Sequence, residues 1–369
     1  MSQGGRKSVP RKLAVASPAR AARLADVAKA AGVSQGTVSN VFNRPQLVRD
    51  EVRERVRNIA QQLGYAGPDP RGRLLRAGKV NAIGVATVER LSHFFEDPYA
   101  RVLMTGITHA ADANGVGISL ISAQSEEELA WNVRSALVDG LILFCLEGAD
   151  RLIAMARERQ LPFVALAFGH RDGSIPAVGV DDVAGARGVA EHLVRLGHRR
   201  FAIIGLHLVE GGAGRATREK IDATFYTVTR DRIAGYLEAI AAAGVDPGSV
   251  PVFETRNDTP TVEAAMEEIF AAPEPPTAIL AQSDRAAFVA LDWLRRHGLR
   301  VPEDVSVVGY DGVPESATSE PPLTTVAQPI AEIGKTAVEM ILNPPAATGR
   351  VALPTRLILR KSTAAPPRA

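Results

Sequence analysis

Gln35, Gly36, Thr37, Ser39 and Asn40 fall within six positions near the amino terminus and offer short polar groups around a gap. Gln and Asn can bond adenine through two hydrogen bonds, Ser and Thr can bond several base edges, and Gly permits close approach. On one helix face such a set would read bases in a major groove. Further on, Arg53, Arg55 and Arg57 could hold phosphates and position that helix without reading sequence. A second set stands far along the chain: Arg232, Asp284 and Asp311. Carboxylates accept from hydroxyls and a planar guanidinium donates in a fixed fork, a combination suited to a small hydroxylated ligand.

Other chemistries fail on spacing. Gly211-Gly212-Ala213-Gly214, followed by Arg215, Arg218 and Lys220, lacks the Gly-Lys-Ser/Thr ending of a phosphate loop and the G-x-G-x-x-G of a dinucleotide site. The stretch 205–230 reads instead as a mobile surface insertion between a strand and a helix. The seven histidines are scattered, with no metal pair at helical spacing, and no G-x-S-x-G nucleophile elbow occurs. No catalytic residue, metal or cofactor is therefore assigned. The single Cys145, inside LILFCLEG, can form no internal disulfide and reads as packing.

These residues need elements to position them. A length of 369 residues predicts two or three domains at roughly 150 residues each. At 46% hydrophobic and 23% charged the chain can bury a core, and it contains no apolar run near the roughly 20 residues of a bilayer span. The opening MSQGGRKSVPRKLAVASPAR lacks the apolar stretch of a secretory signal, which places the chain in the cytoplasm. Its formal charge of +2 hides a strong asymmetry. Residues 1–79 hold 16 Lys or Arg against five Asp or Glu, a net +11, and the remainder is −9. A small basic head on a larger acidic body is the pattern of a polyanion-binding module joined to a separate domain.

In the head, Leu24, Val27, Ala28 and Ala31 line one face of a short helix ended by Gly32. Ser34 caps a second helix with Val38, Val41 and Phe42 inward, and small Ala28 lets the two cross closely. A third helix, 50–63, is expected to bury Val52, Val56, Ile59 and Leu63 before Gly64. From residue 80, short apolar runs such as Ala82–Ala86, Gly140–Phe144, Phe201–Ile204, Ala278–Ala281 and Val305–Val308 alternate with helical stretches, the signature of parallel sheets covered by helices. A break near Pro176–Asp181 divides the body into two lobes. Ligands of such sheets bind beyond the carboxyl ends of the strands, where Asp284 and Asp311 are expected, with Arg232 opening a helix.

The stretch LADVAKAAGVSQGTVSNVFNRPQLVRDEVRERVRNIAQQLGY closely resembles the DNA-binding head of the LacI/GalR family of bacterial transcriptional regulators, and the resemblance runs over about residues 24–363. It implies an N-terminal all-α helix-turn-helix head plus an α/β two-lobed effector domain, doubly wound with parallel sheets, like the periplasmic sugar-binding proteins. Gln35 and Gly36 match the family's principal base-reading positions, Asn40 a base-facing one, and Thr37, Ser39 and Asn43 positions on the groove or backbone. Pro68-Asp69-Pro70-Arg71-Gly72-Arg73-Leu74-Leu75-Arg76 matches the hinge segment that becomes a helix on operator DNA, with Leu75 as the wedge that opens a base step. Arg232, Asp284 and Asp311 match effector-binding positions, and Asp97-Pro98-Tyr99 a first-lobe loop that supplies an aromatic platform; Ala100 stands where many relatives have a second aromatic. Phe168 and Asn257 are weaker candidates.

Two departures weaken the head: Gly72 replaces Ala in the hinge, at about 1 kcal/mol, and Arg49 replaces a Ser cap, at ~1 kcal/mol.

The implied organisation is a disordered basic leader 1–23, head 24–66, hinge 67–79 and effector domain 80–363. Its first lobe spans about 80–178 and 312–345, its second about 179–311 and 346–363, and a disordered tail covers 364–369. The implied partners are near-palindromic operator DNA, a sugar-like effector and a second copy of the chain, in a repressor rather than an enzyme. A two-lobed binding protein or enzyme with a degenerate head is the alternative.

Overall fold

The computed structural model describes residues 22–67, 79–122, 125–144, 150–167, 174–209, 211–344 and 349–367. Most of the expected hinge, including Leu75, lies outside them, as do Cys145 and Phe168. The chain divides into two compact units, Met1–Lys79 and Val80–Ala369. No helix among the described residues is long and apolar enough to cross a membrane.

The first unit contains α1 (Leu24–Ala31), α2 (Gln35–Asn43) and α3 (Asp50–Gln62). Gly32 adopts φ 65° after α1, a left-handed turn that a residue without Cβ takes at little cost. Ser34 Oγ then accepts the Thr37 amide at 3.1 Å, so the chain restarts a helix almost at once. Val27, Ala28, Ala31, Val38, Val41, Val56 and Ala60 form the core. Leu63 is exposed rather than buried, because α3 ends at Gln62 and the chain turns away at Gly64, φ 66°. Tyr65 packs edge-on against Phe42 at 5.7 Å between ring centres. Arg49 provides no side-chain cap to α3, whose first turn holds Asp50 and Glu51.

The second unit has two sheets. Strands β1 (Ala82–Thr87), β2 (Gly117–Ser122), β3 (Gly140–Leu143), β4 (Phe163–Leu166), β5 (Ala177–Val180) and a late strand, β12 (Arg350–Leu353), form a parallel sheet in the order β12-β5-β4-β3-β1-β2. The second sheet is built from β6 (Phe201–Gly205), β7 (Gly214–Arg215), β8 (Val252–Glu254), β9 (Ala278–Ala281), β10 (Ser306–Asp311), β11 (Thr324–Ala327) and β13 (Arg356–Ile358), in the order β13-β11-β10-β9-β6-β8-β7. Its interior pairs are parallel and its two edge strands antiparallel.

The helices that complete the lobes are α4 (His93–Glu96), α5 (Pro98–Ala113), α6 (Glu126–Ser135), α7 (Asp150–Glu158), α8 (Asp182–Arg195), α9 (Arg218–Ala223), α10 (Thr227–Ala242), α11 (Thr259–Phe270), α12 (Asp284–Arg296) and α13 (Ile330–Leu342). Two close helix crossings organise them. An atom added at Gly106 of α5 would lie 2.1 Å from the Ala331 carbonyl oxygen of α13, and one at Gly235 of α10 would lie 2.3 Å from the Val183 carbonyl oxygen of α8. Only residues without a side chain allow backbones this near.

The chain crosses between lobes later than the hydrophobic pattern implies. β11 belongs to the second sheet, so the first-lobe return begins near Pro329 rather than at 312; β12 belongs to the first sheet, so the final crossing follows Leu353 rather than 345. Apolar alternation marks strands but does not say which sheet takes them.

Two further expectations fail. The Gly-rich insertion carries β7 and α9 and is fastened by Glu254, whose buried carboxylate accepts the Leu208 amide at 3.0 Å and pairs with Lys220. The tail is held too as far as residue 367: the His198 ring bonds the Ala364 carbonyl at 2.9 Å, and Pro366 lies near Gly197. A carbonyl only accepts, so His198 Nε2 carries the proton and Nδ1 accepts from Thr277 Oγ1 at 2.8 Å.

Candidate functional site

In the head, Gln35 and Gly36 open α2 and are exposed, with Thr37, Ser39 and Asn40 half-buried beside them. Val38 and Val41, on the opposite side of the helix, are completely buried. Ser39 Oγ accepts from Asn43 Nδ2 at 3.2 Å, and Ser34 Oγ and Thr37 Oγ1 lie 2.9 Å apart, so two of the polar pairs are oriented within the helix itself. A methyl at Gly36 would touch only Ser34 Oγ, at 3.6 Å, leaving the approach open. Arg55 and Arg57 are exposed, whereas Arg53 is not free for a phosphate: it pairs with Asp50 at 2.7 Å and donates to the Pro45 carbonyl at 3.4 Å.

In the body, the five candidate ligand-binding residues fall into three groups. Arg232 sits in the second turn of α10 rather than opening a helix. It is 5% exposed, with Nε on Asp182 Oδ1 at 2.7 Å, Nη1 on the Gln282 carbonyl at 2.6 Å and on Asp311 Oδ1 at 3.7 Å. Its guanidinium carbon lies 3.7 Å from the centre of the Tyr310 ring. Burial lowers the Arg232 pKa, but Asp182, Tyr310 and Asp311 outweigh it, so the pKa rises and the group stays charged. Burial pushes the Asp182 and Asp311 carboxyls up against the pull of that arginine. Asp311 ends β10 with φ 120° and accepts from Gln328 Nε2 at 2.9 Å.

Asp284 forms the second group. It has no exposed surface; Oδ1 accepts from Thr325 Oγ1 at 2.5 Å and Oδ2 from the Val313 amide at 2.8 Å. The helix cap is the preceding Ser283, which accepts the Ala286 amide at 3.0 Å and donates to Asn257 Oδ1 at 2.5 Å. Asp97 and Tyr99, at the start of α5, are the third. Asp97 caps that helix through Ala100 N at 3.0 Å, and Tyr99 stacks on Phe144 with ring centres 6.2 Å apart.

Residues 23–67 match the model of the bacterial regulatory proteins, lacI family, and residues 190–363 match a periplasmic binding protein-like domain. Over 362 residues the chain is 38% identical to the HTH-type transcriptional regulator Rv3575c of Mycobacterium tuberculosis, an alignment covering 95% of this chain and 99% of that protein. The chain belongs to the LacI family. Among solved structures, the Lac repressor dimer bound to operator and the anti-inducer ONPF superposes on this LacI-family regulator with a TM-score of 0.72 at 28% identity, over 94% of this chain and 100% of that one. The complex of the transcriptional regulator CelR with cellobiose gives a TM-score of 0.65 at 29% identity, over 92% and 99%.

Sequence reasoning overlooked Asp182, Gln282 and Tyr310 in this LacI-family body. Asp182 was findable: Asp181-Asp182 follows β5 directly, and charged residues past strand ends are where ligands and crossings gather. Gln282 contributes its carbonyl to Arg232, and its side chain bonds Leu206 N and the Thr229 carbonyl, contacts that no motif announces.

Burial also raises the Asp284 carboxyl, to about 7 from an ordinary 3.8. With Asp182 and Asp311 raised as well, these three carboxyls hold more protons in the folded than in the unfolded chain between about pH 4 and 7, so their contribution to stability falls as pH rises through that window. Relative to Asp284→Asn, the wild type should have its largest advantage near pH 5 and lose part of it by pH 8. Urea unfolding at both pH values checks this, and a constant difference would rule it out.

Proposed function

We propose that the chain is a homodimeric repressor that reads a near-palindromic operator through Gln35, Gly36, Thr37, Ser39, Asn40 and Asn43, with Leu75 of the hinge as a minor-groove wedge. Its operator affinity is set by a small sugar-like effector bound between the lobes. The observation that carries this reading is α2 itself: Gln35 and Gly36 stand exposed at its start while Val38 and Val41 anchor its other side. One such helix reads too few base pairs, and a two-fold dimer doubles the site. The candidate effector residues are Asp97, Tyr99, Arg232, Asp284 and Asp311, of which Arg232 and Asp311 form one buried cluster. An operator-bound Lac repressor dimer and a cellobiose-bound CelR support the two kinds of partner. The protein performs no chemistry on its effector and works in the cytoplasm.

Selection of duplexes from a random pool by the full chain tests the proposal. The expected product is a near-palindrome whose affinity falls steeply with salt, as several phosphate contacts require. Gln35→Ala should relax preference at one position per half-site by roughly 10–100-fold, and Leu75→Ala should weaken binding while leaving the preferred sequence unchanged. Enrichment of no sequence, with or without cellobiose or ribose, would favour a two-lobed binding protein or enzyme with a degenerate head.

A further inference from the structure

Two ion pairs of opposite sense join the lobes at the first turn of α5. Asp97, buried at the start of this first-lobe helix, uses Oδ1 to cap it. Its Oδ2 lies 3.4 Å from Nη1 of Arg285, in the first turn of the second-lobe helix α12. One turn further along α5, Arg101 pairs with Glu315, in the turn Pro314–Ala317 that follows β10 of the second lobe. Glu315 Oε2 is buried and has no hydrogen-bond partner among the described residues, so the carboxylate relies on Arg101. Phe288, one turn after Arg285, packs against the cores of both lobes.

We infer that Asp97, Arg101, Arg285 and Glu315 are positioning residues that clasp the lobes in one arrangement, and that operator affinity depends on this clasp. The second half rests on the regulatory reading above. A ligand shifts two arrangements only through its different affinity for each, and contacts present in one arrangement alone enter the same balance. Arg101 and Glu315 each keep 42% of their side-chain surface exposed, so the pair is a modest contributor that salt and solvent weaken. Reversing one charge turns that attraction into repulsion, and reversing both restores it.

The test uses the full chain with Cys145→Ser, spin labels on Asp112→Cys in the first lobe and Glu268→Cys in the second, and pulsed electron resonance to measure their separation. Arg101→Glu and Glu315→Arg, each alone, should shift or broaden the distance distribution and change affinity for the selected duplex in the same direction, by roughly fivefold. The double reversal should recover both. Asp97→Asn keeps the helix cap and removes the charge, so it probes the Arg285 pair without threatening α5. Unchanged distances in the single variants, or no recovery in the double, would overturn the clasp. Distances that move while duplex affinity stays constant would overturn its link to DNA. If no duplex is enriched, the regulatory reading has failed, and the distances alone still decide whether the clasp exists.

Discussion

Arg232→Ala should lower the unfolding free energy of the second lobe by about 3–5 kcal/mol, the usual cost of breaking a buried ion pair from one side. The loss comes from what the arginine leaves behind. Asp182 and Asp311 have side chains only 10% and 8% exposed, and without the guanidinium their charges have neither solvent nor a cation. The Gln282 carbonyl, which takes a 2.6 Å bond from Nη1, loses a partner as well. Arg232→Lys should recover part of the stability, because an ammonium keeps the charge but cannot donate to Asp182, Gln282 and Asp311 from one planar fork. Trp293, 3% exposed on α12 of the same lobe, supplies a fluorescence signal for denaturant unfolding. A loss below about 1 kcal/mol, the scale of an exposed pair, would mean that Arg232 is not the centre of the cluster.

Gly106→Ala should destabilise the first lobe by about 3 kcal/mol, the upper end of ordinary overpacking. The new methyl would lie 2.1 Å from the Ala331 carbonyl oxygen and 2.7 Å from the Ala331 Cα. Both atoms are backbone, so no rotamer change relieves the clash and α5 must move away from α13. That separation would also open contacts made by Leu103 and Ile107 with Ile333 and Ala337 in the first-lobe core. Gly188→Ala is the matching control. It lies inside α8 with nothing within 4 Å of the added atom, so the higher helix propensity of Ala should stabilise by up to about 1 kcal/mol. Thermal unfolding of the two variants should therefore move in opposite directions. Equal effects would mean that the α5–α13 crossing yields more readily than its backbone contacts indicate.

Most of the head is legible in the order of its residues because its determinants are local. Gly32 and Ser34 are two positions apart and define both the turn and the next helix, and the spacing of Val38 and Val41 decides which side of α2 remains outside for Gln35 and Gly36. The alternation of strands and helices in the body is local in the same sense. Sheet membership is not. Thr324–Ala327 and Arg350–Leu353 are both short strands late in the chain, yet they enter different sheets, because the first pairs with nearby β10 and the second with β5, far earlier in the chain.

The candidate ligand site divides along the same line. Residue type and position at a strand end are enough to single out Asp284 and Asp311, whereas Arg232 is singled out by its charge near a helix start. Their partners lie 50 and 41 residues away, as Asp182 for Arg232 and Thr325 for Asp284, and only the folded chain brings them within bonding distance. Glu254 and Lys220 likewise turn a Gly-rich stretch that reads as a loop into a fastened element, and His198 does the same for the tail. The sequence by itself determined the two kinds of domain and the outward face of α2, since these rest on short-range periodicity and capping, and it pointed to the family through its resemblance. The tertiary structure decided which charges are buried and which are paired across the lobes, since a side chain's electrostatic role depends on the atoms around it rather than on its neighbours in the chain.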